Sequence, residues 1–118
     1  MAPMVKGRER TNFSMANISP SIEKSVQRFL NAVGRRYRIQ AAYLYGSQAK
    51  GMATSWSDID VAVVSPDFSD DLFEEYLILM QIAAHIDDRI EPRLFKVETF
   101  NVNDPIASEI QKKGVRVA

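Results

Sequence analysis

The sequence predicts an α+β domain (mixed α/β), with one mainly mixed sheet of about four strands and helices packed on one side. The apolar segments follow the order helix, strand, strand, helix, strand, helix, strand. The loop between the first two strands is too short for a crossover helix, so these strands are expected to be antiparallel. Each helical segment carries an apolar stripe, which predicts packing against the sheet.

Composition indicates one domain and excludes several protein classes. The chain has 118 residues, 46% of them hydrophobic, which is enough for a single core. We expect a mobile arm over residues 1–18 and the domain over 19–118. Without cysteine there is no disulfide framework or thiolate zinc site. A net charge of zero disfavours a nucleic-acid partner. No run is long enough for a membrane span and the N-terminus lacks a signal-peptide core, so we expect a soluble cytoplasmic protein.

The first helix and the two strands after it have clear boundaries. Ser19 is a candidate N-cap with Pro20 at the first helical position, and Gly34 is expected to end the helix. The first strand is predicted over residues 39–45 and the second over 58–64. The apolar stripe of the helix consists of Ile22, Val26, Phe29, Leu30 and Val33.

The second half of the chain alternates helices and strands. A second helix is predicted from Ser69 to about Ile86, followed by a third strand over residues 89–95. Asp104 is expected to cap a last short helix, and residues 115–117 form a final short strand. The expected buried face of the second helix consists of Leu72, Tyr76, Leu79, Met80, Ala83 and Ile86.

The stretch from Ala41 to Val64 carries the candidate chemistry. Asp58 and Asp60 alternate with apolar residues, so both carboxylates should project from the same face of a strand. Adjacent like charges repel unless a cation or proton neutralises them. Mg²⁺ prefers carboxylate and phosphate oxygens, so the pair suggests a metal-nucleotide site. The turn at Gly46 and Ser47 brings backbone and hydroxyl groups that can hold phosphate oxygens.

These residues carry a family resemblance. Gly46-Ser47, ten intervening residues and Asp58-Ile59-Asp60 match the G-S-x10-D-x-D signature of the polymerase-beta-like nucleotidyltransferases. The chain resembles their minimal members in length, over about residues 20–118. The family supplies a third carboxylate from the strand after the second helix, where aspartate is common. Glu91 is the matching residue here; the alternative is a surface charge on an edge strand beside Pro92.

The resemblance implies a site and its ligands. It implies two Mg²⁺ ions and ATP as the substrate. Family members often carry arginine where this chain has Gln48 and Lys50, which leaves the strength and choice of nucleotide binding open. The implied catalytic residues and metal ligands are Asp58, Asp60 and Glu91, and the implied phosphate-binding residues are Gly46, Ser47 and Lys50.

The only tryptophan and the only histidine of the chain each have two interpretations. Trp56 can stack on a nucleotide base, but packing as a loop anchor is favoured. His85 is the only histidine and has no Ser or Cys nearby in sequence, which favours a structural role or an interaction with the helix dipole over catalysis.

The resemblance also suggests a function. It implies transfer of a nucleoside monophosphate, AMP from ATP, to a hydroxyl group. The acceptor can be a small helical HEPN-type toxin, with this chain as the antitoxin, or a small molecule such as an aminoglycoside. A non-catalytic module that binds a nucleotide or a partner is the alternative, and a homo-oligomer is also open.

Overall fold

A computed structural model of the chain describes residues 18–54 and 56–118. The expected arm, residues 1–18, lies outside the described residues except for Ile18, which is buried in the core. The elements are helix α1 (Pro20–Gly34), strands β1 (Ala41–Tyr45) and β2 (Ile59–Val64), helix α2 (Leu72–Ala84), strand β3 (Ile90–Phe95), a 3₁₀ turn (Val97–Thr99), helix α3 (Pro105–Lys113) and strand β4 (Val115–Arg116).

The four strands form one mixed sheet in the order β3-β2-β1-β4. Strand β1 is antiparallel to β2, as the short loop between them predicted, and it is also antiparallel to β4. Strand β3 is parallel to β2, and α2 supplies the crossover that a parallel pair requires. Pro92 lies on β3, an edge strand, where its missing N–H costs no sheet hydrogen bond. The predicted α+β class with a four-stranded mixed sheet is confirmed.

Helices cover both faces of the sheet. Helices α1 and α2 bury one face, with Val26, Phe29 and Val33 fully buried at its centre. Helix α3 packs on the opposite face through Ala107 and Ile110. The prediction that the helices share one side is therefore right for α1 and α2 and wrong for α3.

The sequence contains the signal for this second layer. From Val61 to Val64 the strand β2 is apolar at every position, and all four residues are buried. A strand with such a run is typically covered on both faces, whereas a strand with one wet face alternates with polar residues. The second layer follows from this run, which the strand prediction did not use.

Capping side chains fix where the helices begin. Ser19 and Asp104 cap α1 and α3 as predicted. Helix α2 begins at Leu72 rather than Ser69 because the Asp71 side chain accepts a hydrogen bond from the backbone N–H of Glu74, at 3.1 Å. Negative caps also interact favourably with the positive end of the helix dipole.

A polar cluster ties α1 to the start of β3. The Asp87 carboxylate accepts hydrogen bonds from Ser25 Oγ at 2.8 Å and from Arg89 Nη2 at 2.8 Å and Nε at 3.0 Å. The hydrogen bonds from Arg89, more than any other cause, lower the pKa of Asp87 to about 2. The carboxylate therefore stabilises the fold in its charged form.

Across residues 18–54 and 56–118, none of the helices combines the length and the apolar character needed to cross a membrane.

Two phenylalanines test where the stability lies. Phe29 is completely buried, so Phe29→Ala should lower the free energy of unfolding by about 3–5 kcal/mol. Phe73 is 70% exposed on α2, and Phe73→Ala should change the free energy of unfolding by no more than about 0.5 kcal/mol. Urea denaturation of both variants measures the difference, and equal losses would contradict this assignment of the core.

Asp87 makes stability depend on acid. Its pKa is lower in the folded chain than the ordinary 3.8, so the unfolded chain binds the proton more readily. The stabilisation is complete above about pH 4 and is lost as the pH falls towards 2. Asp87→Asn should therefore be less stable than wild type at pH 6 and should lose less stability between pH 4 and pH 2. Thermal unfolding of both proteins from pH 6 to pH 2 measures this difference. Stability curves that run parallel for the two proteins would refute the role of Asp87.

Candidate active site

Asp60 lies in the middle of a row of side chains that crosses the sheet. In the strand register, Asp60 on β2 is opposite Tyr45 on β1 and Glu91 on β3. Residues that face each other across neighbouring strands share one face of the sheet. Asp58 is exposed and lies just before β2, two residues from Asp60. The structure therefore gathers the three predicted carboxylates in one corner of the sheet.

The charges in this corner repel one another. The pKa of Asp60 is raised, first by burial and then by the negative charges of Asp58 and Glu91, while Arg93 acts in the opposite direction. Such a set of carboxylates is stabilised when a cation or a proton joins it.

The carboxylates do not form a ready-made metal site. Nowhere in the described part of the chain do three or more Asp, Glu or His side chains converge closely enough to hold a metal ion. Glu91 Oε2 instead accepts a hydrogen bond from the hydroxyl of Tyr76, at 2.7 Å. Asp58 and Asp60 still offer the hard oxygen donors that suit Mg²⁺, and the charge repulsion at Asp60 fits a cation there. The role of Glu91 as a metal ligand stays a prediction.

The predicted phosphate turn contacts Asp60 directly. Gly46 has a φ of +71°, and a Cβ placed on it would overlap Asp60 Oδ2 and lie 3.4 Å from Asp60 Cγ. Only glycine fits without strain at this position. The loop then makes a hydrogen-bonded turn, in which the Lys50 N–H donates to the Gly46 carbonyl at 3.2 Å and the Met52 N–H to the Ser47 carbonyl at 3.0 Å. It is a turn and does not continue as a helix.

Gln48 is connected by a hydrogen bond to the backbone of Asp58. Its side chain is buried, and its Nε2 donates to the backbone carbonyl of Asp58 at 3.4 Å. An arginine replaced by glutamine suggested a lost ligand contact, but this side chain points into the protein. Its role here is to brace Asp58 against the turn.

A small cavity of about 140 Å³ lies on the β1 side of Asp60. Tyr45, Gly46 and Lys50 line one wall, and Lys113 near the end of α3 lines the other. Lys113 pairs with Glu109 at 3.1 Å, and both side chains are largely exposed. Sequence reasoning missed Lys113, because no local pattern indicates that α3 folds back beside the turn.

A larger cavity of about 390 Å³ lies on the β3 side of Asp60. It is lined by Asp60, Glu91 and Arg93 of the sheet and by Phe73 and other residues from the start of α2. Its volume is within the range of small-ligand pockets, roughly 300–1,000 Å³. The sheet side of this cavity carries two carboxylates and the Arg93 guanidinium, and the α2 side is apolar except for the Tyr76 hydroxyl.

Tyr76 and Arg93 are further site residues that the sequence prediction missed. Tyr76 was assigned to the buried face of α2, but its hydroxyl reaches the edge strand and bonds Glu91, which raises the pKa of Tyr76. Arg93 Nε donates to the hydroxyl of Tyr45 at 3.1 Å. Helical spacing indicates the side on which Tyr76 lies but gives no sign that its hydroxyl passes the sheet edge.

The predictions for the only tryptophan and the only histidine fare differently. Trp56 is 90% exposed, so its interpretation as a loop anchor is wrong; stacking on a base stays a prediction. His85 lies at the C-terminal end of α2, with Nδ1 2.8 Å from the carbonyl oxygen of Gln81, and lines neither cavity beside Asp60. Its contacts agree with the structural role favoured above.

Known families and structures match most of the chain. The family model for the nucleotidyltransferase domain matches residues 26–117. A chain in the crystal structure of a toxin-antitoxin with AMP-PNP is 23% identical, with a TM-score of 0.58, over 81% of this chain and 72% of that chain.

Two mutants of the toxin-antitoxin MntA-HpeT also match. One is 21% identical, with a TM-score of 0.57, over 81% of this chain and 72% of that chain. The other is 24% identical, with a TM-score of 0.55, over 81% and 71%. Identities this low show a shared fold. No curated protein matches the chain significantly.

Two glycines with the same backbone strain test the contact between the turn and Asp60. Gly46 and Gly51 have φ values of +71° and +70°, but a Cβ on Gly51 would meet nothing within 4 Å. Gly51→Ala should cost about 1 kcal/mol of stability for the left-handed backbone alone. Gly46→Ala should cost at least about 1 kcal/mol more, because its Cβ also displaces the Asp60 carboxylate.

Thermal unfolding measures both costs, and the carboxyl carbon resonance of Asp60 reports the displacement. Only Gly46→Ala should move that resonance. Equal stability losses with an unmoved Asp60 resonance would show that the turn and the carboxylate are not in contact.

Proposed function

Because the chain belongs to the nucleotidyltransferase-domain family, we propose that it transfers AMP from ATP to a hydroxyl group of a partner protein. The observation that carries this proposal is the position of Asp60, which touches the Gly46 turn on one side and faces Glu91 on the other. A nucleotide transfer needs phosphate contacts and carboxylates next to one another, and the Gly46 turn beside Asp60 would supply the first next to the second.

The proposed transfer is a single displacement at phosphorus. The acceptor oxygen attacks the α-phosphorus of ATP and forms a new P–O bond. The bond from the α-phosphorus to the oxygen that bridges to the β-phosphate breaks, and pyrophosphate leaves with the electron pair. Glu91 is suited to take the proton of the hydroxyl, since only its Oε2 is engaged by Tyr76.

Asp58 and Asp60 would hold Mg²⁺, and Glu91 with Asp60 would hold a second ion. When bound, the ions supply Lewis-acid stabilisation of the phosphate charge. The raised pKa of Asp60, caused by burial and by its acidic neighbours, supports a cation at this position.

The residues of the chain itself would position the nucleotide. Lys50 and Lys113 line the cavity beside Gly46, so the negative phosphates would lie on the β1 side of Asp60. Ser47 follows Gly46, which lines this cavity, and the backbone N–H and hydroxyl of Ser47 would hold phosphate oxygens. Trp56, which is exposed in the same loop, remains free to stack on the base.

The partner would be a toxin, with this chain as its antitoxin. Three structures that share this fold belong to toxin-antitoxin complexes, and one of them contains AMP-PNP. We propose a small helical HEPN-type protein as the acceptor, in place of a small molecule such as an aminoglycoside.

A non-catalytic binding module is the second candidate. It is favoured by the carboxylates themselves, which do not converge on a metal position within the described residues. Such a module would bind a nucleotide or a partner without transferring anything.

The test is the mass of the partner protein after incubation with Mg-ATP. The product of the neighbouring reading frame is the first acceptor to use, and intact-mass spectrometry should find an adenylyl increment on it with wild type. Asp58→Asn should weaken both Mg-ATP binding and transfer. Glu91→Gln should keep binding within a few fold and slow transfer by about two orders of magnitude, as for a lost transition-state interaction.

Both substitutions keep the size of the side chain, so both variants are expected to fold like wild type and their binding and transfer can be compared directly with it. Nucleotide titration by calorimetry, with and without EDTA, accompanies single-turnover transfer for each variant. A well-formed complex whose partner stays unmodified would favour the binding module. Transfer by Glu91→Gln at the wild-type rate would remove Glu91 from the reaction.

A further inference from the structure

Helix α2 exposes apolar side chains that the core does not use. The helix buries Leu79 and Ala83, yet Phe73 is 70% exposed and Leu77 is 42% exposed. These two residues are four positions apart, so they are neighbours on the helix surface. Leu72, 36% exposed, lies beside Phe73 at the start of the helix. We call these three residues the α2 patch.

The α2 patch adjoins the acidic corner of the site. Leu72 and Phe73 line the same cavity of about 390 Å³ as Asp60 and Glu91. Single exposed apolar residues are ordinary on a protein surface, but several together beside a polar cavity indicate an interaction site.

The site is therefore asymmetric about Asp60. On the β1 side lie Lys50 and Lys113, which suit the negative charge of a triphosphate. On the β3 side lie Glu91, Arg93 and the α2 patch. The charge of Arg93 acts on Asp60 and its Nε donates to the Tyr45 hydroxyl, so this one cation is already engaged by the site. Like charges disfavour the phosphates next to Glu91, so the β3 side is left for the acceptor.

We propose that the α2 patch docks the segment of the acceptor protein that carries the modified hydroxyl group. This inference rests on the proposed function and adds the chemistry of the acceptor: a hydroxyl side chain with an apolar side chain close to it. The apolar neighbour packs on Phe73 and Leu77, and the hydroxyl then reaches the carboxylates across the same cavity.

The charges around the α2 patch add a second requirement. Asp71 and Glu74 are exposed next to Phe73, and no ion pair involves either of them within the described residues. Asp70, in contrast, pairs with Lys96. A docking segment should thus carry a basic residue that faces Asp71 and Glu74, because complementary charge at the rim guides association.

The experiment measures binding and transfer separately, with the product of the neighbouring reading frame as the acceptor. Phe73→Ala should weaken the complex by about tenfold or more, as expected for an aromatic anchor in an interface. The KM for the acceptor should rise by a similar factor, with kcat at saturation changed by less than about threefold. Calorimetry should find ATP affinity unchanged, and Phe73→Leu should restore most of the binding.

Two further variants complete the comparison. Val102→Ala removes an apolar side chain that is 76% exposed but lines neither cavity beside Asp60, and it should behave as wild type. Glu74→Lys should weaken the complex at low salt and reduce the dependence of binding on salt, because it removes attraction at the rim.

The possible results separate the docking surface from the proposed function. Transfer with an unchanged acceptor KM in Phe73→Ala would overturn the docking surface and leave the proposed function standing. A complex that is weakened by Phe73→Ala but transfers nothing would keep the docking surface and overturn the proposed function. Absence of any complex would overturn both. If the isolated chain sediments as a dimer that Phe73→Ala dissociates, the patch belongs to a second copy and the proposal is wrong.

Discussion

The contact between Gly46 and the Asp60 carboxylate is the constraint on which the site depends. The antiparallel register of β1 and β2 puts Tyr45 opposite Asp60, so the chain leaves β1 directly beside that carboxylate. Without a Cβ, the turn at Gly46 fits against Asp60 Oδ2 and takes the left-handed backbone that reverses the chain. The position of the predicted phosphate-binding turn is thereby tied to the position of a carboxylate. A shift of the register by one residue would turn Asp60 to the other face of the sheet and break this link.

The fold holds a repulsive set of charges at low cost by keeping it at the margin of the sheet. Asp58 is exposed and Asp60 and Glu91 are only partly buried, so water screens much of their repulsion. Tyr76 and Arg93 moderate what remains: the hydroxyl of Tyr76 donates to Glu91, and the charge of Arg93 opposes the rise in the pKa of Asp60. Fully buried, the same carboxylates would be protonated instead of charged. The tightly packed core lies on the face of α1 and α2. The carboxylate buried there, Glu75, has a partner for each oxygen, because it accepts hydrogen bonds from the Tyr37 hydroxyl at 2.6 Å and the Ser69 N–H at 2.8 Å.

The sequence predicted the parts of the fold that local patterns encode. The order of the elements along the chain, the antiparallel pairing of β1 and β2 and the caps at Ser19 and Asp104 follow from residue types at fixed spacings. The second helical layer was missed because the apolar run of β2 was counted as strand signal and not as burial on both faces. Within the site, the motif residues could be identified because their spacing is short. Tyr76 and Lys113 could not, since their approach to the site depends on how two helices pack.

Helix α2 has three roles, and they explain its unusual pattern of exposure. As the crossover of a parallel pair it must lie across the sheet, which buries Leu79 and Ala83. Its first turns extend past the edge strand β3, where Tyr76 reaches around the edge to Glu91. The same turns leave Phe73 in solvent beside that carboxylate. An acceptor that covers Phe73 would also remove water from around the bond between Tyr76 and Glu91. Electrostatic interactions strengthen when water is excluded, so the binding of the correct acceptor would itself tighten the hydrogen bond that orients the Glu91 carboxylate.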